Sequence, residues 1–104
     1  MTSFTRSEVR FLAQCCRAYA QDGYRLPKGT TPIPRPIQET LIADAINKLT
    51  NVLQLEALTK EEASMLIVSI LHVSAEYEIA EKDFSLSEVC EKLSALAEPD
   101  PQHS

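Results

Sequence analysis

The sequence has no tryptophan, only two glycines, and only three phenylalanines and three tyrosines. So few glycines leave little material for tight turns, which favours helices over a hairpin-rich β fold. Its longest apolar stretch, Ala63 to Ala75, is broken by Ser64, Ser69 and His72 and falls short of the roughly 20 residues needed to cross a bilayer. A buried central helix accounts for it, and no membrane association is expected. The sequence also lacks a Gly-rich phosphate loop, a His-Glu-x-x-His pair, a Gly-x-Ser-x-Gly elbow and a Cys-x-x-Cys pair. No enzyme, no metal and no cofactor is therefore expected.

Cysteine is scarce as well: Cys15, Cys16 and Cys90. An odd number and a start without a basic and apolar leader pattern point to reduced thiols and a cytoplasmic setting. The adjacent Cys15 and Cys16 would need further ligands to hold a soft metal, or a depressed thiol pKa to sense oxidants. No nearby residue supplies either, so both read as small buried side chains. His72, the only histidine outside the C-terminal tail, sits in the apolar stretch and reads as a hydrogen-bonded core residue rather than a base or ligand.

What is present is an ordinary globular balance, 44% hydrophobic and 24% charged residues in 104, enough for one domain with one core. Helix starts are written three times as a Ser or Thr followed three residues later by Glu: Thr5 with Glu8, Thr59 with Glu62, and Ser85 with Glu88. In such a box each side chain satisfies a backbone N–H left free in the first turn. Each pair is flanked by apolar residues at staple spacing, Phe4 and Val9, Leu58 and Ala63, Phe84 and Val89. Pro36 marks a fourth start, because proline is welcome in the first turn.

These signals predict an all-α, four-helix bundle-like single domain over residues 1–98, with helices at about 6–22, 36–57, 60–80 and 86–97 and a flexible tail at 99–104. The first helix carries Val9, Leu12, Cys16 and Tyr19 on its apolar face, widened by Phe11, Cys15 and Ala18, with Arg10, Gln14, Arg17 and Gln21 on the wet side. Gly23 stands where a left-handed cap would end it. The third helix is apolar almost all round in its first half and should be the most buried. Between the first two helices, residues 23–35 hold both glycines and three prolines, a long extended connection. The later helices should pack as antiparallel neighbours.

Charge is divided unevenly. Up to Pro36 six basic residues face two acids, a balance of +4; beyond it four lysines face thirteen acids, a balance of −9. The function expected from this is a non-enzymatic protein–protein interaction module, of the small adaptor, chaperone or inhibitor and immunity type. The architecture is similar to that of small bacteriocin immunity proteins, secretion chaperones and phage-encoded inhibitors, a likeness of fold that carries no motif. The alternative is a nucleic-acid-associated regulator using the Arg-rich first helix, disfavoured by overall acidity and the absence of a polar recognition helix.

The candidate partner-binding residues are Arg10, Phe11 and Arg17 on the first helix, and Pro32, Pro34 and Arg35 in a run able to dock in an aromatic groove. That run serves equally as a stiff connection fixing the first helix. A homodimer is also expected, because the first helix is apolar over more of its circumference than one bundle groove covers, and the +4 segment complements the −9 body.

Overall fold

The computed structural model describes residues 4–26, 28–29, 32–51 and 58–97. It contains four helices, α1 (Arg6–Gln21), α2 (Arg35–Asn51), α3 (Lys60–Glu76) and α4 (Leu86–Ala97), and no strand among the described residues. The expected last turn of the second helix, 52–57, and the tail lie outside those residues.

α3 is the hub. It packs against all three other helices, and Ala63, Met65, Leu66, Ser69 and Ile70 are at most 2% exposed. Three neighbours leave α3 only a narrow exposed edge, Lys60, Ser64, Leu71 and Ser74, which is why Met65 to Ile70 is apolar apart from the buried Ser69. α1 runs parallel to α3, as contacts that advance along both chains together show, from residues 16 and 69 through 19 and 72 to 22 and 77. Cys16 Sγ lies 3.8 Å from Ser69 Oγ, Tyr19 packs edge-on to the His72 ring, and Asp22 bonds His72. α2 and α4 run the other way, with Lys48 reaching Glu62 at the start of α3 and Lys92 reaching Glu8 at the start of α1. All three chain-consecutive pairs are thus antiparallel, and the two ends of the bundle differ in character.

At the end where α1 and α3 begin, two capping boxes form as expected. Thr5 Oγ1 accepts from the Glu8 N–H at 3.1 Å while Glu8 accepts from the Thr5 N–H at 2.8 Å, and Thr59 and Glu62 repeat the pattern at 3.1 and 2.9 Å. Both glutamates are almost fully buried, and each also receives a lysine from a neighbouring helix, Lys92 on Glu8 at 2.7 Å and Lys48 on Glu62 at 2.8 Å. One carboxylate therefore caps its own helix and ties a second helix to it. Phe4 and Leu58, the residues before the caps, are buried beside them.

Four expectations need correction. No reciprocal bonds form between Ser85 and Glu88 among the described residues; the Leu86 N–H is taken instead by the Glu81 carboxylate at 2.7 Å. The second helix begins at Arg35, one residue early, with the Pro34 carbonyl accepting from the Ile37 and Gln38 N–H groups. The third helix stops at Glu76, not Ala80, because Tyr77 turns extended (φ −136°, ψ 160°) and the chain folds back across α1. That returning segment, 77–85, corrects the fourth expectation. Phe84 stacks on Phe11 at 4.4 Å between ring centroids, and Phe11 is only 6% exposed. The surplus apolar face of α1 is covered by its own chain, so it gives no ground for a dimer through α1.

Candidate functional site

The opposite end of the bundle, where α1 and α3 finish and α2 begins, is built differently. α1 closes with a Schellman motif: the Tyr24 N–H bonds the Tyr19 carbonyl at 3.0 Å and the Gly23 N–H bonds the Ala20 carbonyl at 3.1 Å. Gly23 takes the left-handed conformation expected of it, φ 89°, and Tyr24 follows it there at φ 57°. A bulky residue adopts that region only when its side chain is held. Here the Tyr24 ring packs edge-on against Tyr19, and the Arg35 guanidinium lies over the Tyr24 ring, 5.1 Å from its centroid.

The long connection between α1 and α2 starts and finishes at this end of the bundle. Its two ends meet, clasped by Tyr24 against Arg35 and by buried Gln38, which accepts from the Tyr19 hydroxyl at 2.5 Å and donates to the Ile33 carbonyl at 2.7 Å. Burial, followed by the neighbouring Tyr24, pushes the Tyr19 phenol up to about 12, so it remains a donor.

Beside this clasp lies an open cleft of about 950 Å³. One bank is the start of the connection, with Arg25, Leu26 and Lys28; the other is the end of α3, with Leu71, Ala75, Glu76 and Tyr77. Asp22 and His72 also line it. Asp22 Oδ2 accepts from His72 Nε2–H at 2.7 Å and from the Tyr77 hydroxyl at 2.8 Å. These bonds, His72 first and Tyr77 next, hold the Asp22 carboxyl below its ordinary range, and the same contact raises the Tyr77 phenol. His72 is thus the hydrogen-bonded core residue that the apolar stretch implied.

The thiols are held toward their protonated form. Burial pushes Cys15 up to about 12, helped by Cys16 and Cys90, and pushes Cys16 up to about 11 against the opposing Ser69 bond. Both stay protonated at neutral pH, the reverse of what a redox sensor requires. No group of three or more potential metal ligands occurs among the described residues, and no helix there is long and apolar enough to cross a membrane.

The candidate partner-binding residues fall into two separate groups. Arg10 and Arg17 are exposed on the outer side of α1. Phe11 is not available to a partner, being covered by Phe84. Pro32 and Pro34 are exposed, while Arg35 is engaged with Glu39 at 3.1 Å and with the Tyr24 ring. Sequence reasoning missed the Asp22, His72 and Tyr77 cluster and the cleft beside it, since its members are 50 and 55 residues apart. Against known protein families, curated proteins and solved structures, the chain shows no match.

Proposed function

We propose that this chain acts without catalysis, by binding a partner protein on the outer side of α1. The observation that carries the reading is the contrast between its cations. Lys48 and Lys92 are spent on buried glutamates within the fold. Arg10 and Arg17, with Gln14 and Gln21 between and beyond them, form an exposed stripe, and neither arginine has an ion-pair partner among the described residues. At 1.5 Å per residue the stripe is roughly 16 Å long. On a chain of net charge −5, a fixed basic ridge favours an acidic face on another protein and speeds its approach.

The test is affinity capture from the native source with the parent and with the Arg10→Glu, Arg17→Glu double variant, read by mass spectrometry. A protein held by the parent and released by a variant of unchanged circular dichroism supports the reading. Captured material identical for both would overturn it. Loss of the captured set on nuclease treatment would favour the nucleic-acid alternative instead.

A further inference from the structure

The large apolar side chains left exposed among the described residues are Ile37, Leu71 and Tyr77, at 50%, 51% and 49%. Single exposed apolar residues are ordinary, but these three share one end of the bundle. Ile37 is in the first turn of α2, one residue from Gln38, which bonds Tyr19; Leu71 and Tyr77 are at the end of α3. Among the described residues, the opposite end, with its buried caps, leaves no such residue.

The charges around Leu71 and Tyr77 are arranged by bank. Arg25 and Lys28 are exposed on the connection, with no ion pair to any described residue, and Glu76 is exposed on α3 across the cleft. Asp22 stands beside the basic bank and interacts with Arg25, so that bank is net +1, while its Oδ2 is shared by His72 and Tyr77. A surface with a basic bank, an apolar centre and an acidic bank is complementary to itself. Rotation by half a turn about the centre brings each basic bank against the acidic bank of a second copy.

We propose that this end is a two-fold interface between two copies of this chain. Leu71 and Tyr77 meet their counterparts near the axis, and Arg25 and Lys28 of each copy face Glu76 of the other. The inference rests on other charges than the α1 partner face, since neither Arg10 nor Arg17 lines the cleft and only Gln21 borders both, so either can fail alone. Stable interfaces bury about 800 Å² per partner, and three half-exposed side chains with a few charge pairs lie at the low end. Association on the order of tens to hundreds of micromolar is expected.

The experiment is sedimentation equilibrium of the full chain from about 10 to 500 µM, with Arg25→Glu, Glu76→Arg and Leu71→Asp variants checked by circular dichroism. Each charge change is repeated twice in a two-fold contact, so each single variant should weaken dimerisation at least roughly tenfold. Leu71→Asp should do the same. The decisive step mixes Arg25→Glu with Glu76→Arg in equal amounts. The pair at positions 25 and 76 is then opposite in sign in both contacts, although Lys28 meets a cation in one of them, and a 1:1 heterodimer tighter than either variant's own pairing should return. A parent that stays monomeric over the whole range, a dimer indifferent to Arg25→Glu, or a mixture that fails to associate would each overturn the proposal.

Discussion

The two ends of this bundle solve the same problem, how to finish helices, with different chemistry. Where α1 and α3 begin, Glu8 and Glu62 are 2% and 3% exposed, and each satisfies a backbone N–H and a lysine from another helix. Where α1 and α3 end, the corresponding carboxylate, Asp22, has a third of its side chain exposed and joins the two helices through His72 and Tyr77. Buried, doubly used acids make the first end a fixed base. The second end keeps a cleft and exposed apolar groups that a base could not tolerate, and interaction surfaces belong on that kind of end.

The comparison presupposes a shared core, and its largest test lies there. Ile70→Ala, on α3 midway between the two ends, should cost roughly 2 to 5 kcal/mol through lost burial and a residual cavity. Unfolding in urea should remain a single transition. If the variant instead unfolded in two steps, the ends would be separate cooperative units and the contrast between them would concern two bodies.

Next come the carboxylates of the base. Glu8→Ala or Glu62→Ala removes a cap and strands a lysine, and each should cost about 2 to 3 kcal/mol. Thr59→Ala removes only the hydroxyl half of one box and should cost about 1 kcal/mol. At the other end, Tyr77→Phe deletes a donor to Asp22 at a half-exposed site, where water replaces it, and the midpoint in urea should move far less than for any of these. A Tyr77→Phe loss equal to that of Glu8→Ala would mean the cleft end is as rigid a device as the base.

How much of this the sequence revealed follows the range of the interactions. Thr5 with Glu8 and Thr59 with Glu62 are three residues apart, so their boxes can be read directly; Gly23 as a left-handed cap is equally local. The lysine partners cannot be read that way: Lys92 meets Glu8 across 84 residues, and Lys48 meets Glu62 only because α2 is antiparallel to α3. The early end of α3 had a signal that helical reasoning passed over. In Glu76-Tyr77-Glu78-Ile79 polar and apolar residues alternate with period two, the mark of extended chain, and Ile79 packs on the core. From that strap follows the cover on Phe11, and with it the loss of the argument for pairing through α1. The cleft was invisible for the same reason as the lysines, since its banks come from the connection and from α3.

The smallest expected effect is also the one that compares the ends most directly, through acid. Asp22 is held below its ordinary carboxyl value of 3.8, chiefly by the His72 and Tyr77 bonds. Burial raises Glu62, but the bonds from Lys48 and Thr59 outweigh it and hold the group below 4.5. A carboxyl lowered on folding stabilises the fold fully above its unfolded value, and that contribution is lost as pH falls through the lowered value. Stability should therefore be level near neutrality and decline below about pH 4.5, through both groups. Asn at position 22 still accepts one hydrogen bond but does not titrate. Asp22→Asn should be slightly less stable at pH 7, with the gap to the parent closing as the solution is acidified. Glu62→Gln should behave alike with a larger gap. Salt then separates the two: near 1 M, where screening acts over about 3 Å, the part due to exposed Asp22 should shrink markedly while that of buried Glu62 persists. Urea midpoints measured across pH at low and high salt provide the check. If salt erased both contributions equally, the Glu62 end would be no drier than the Asp22 end, and the distinction between a fixed base and an open end would fall.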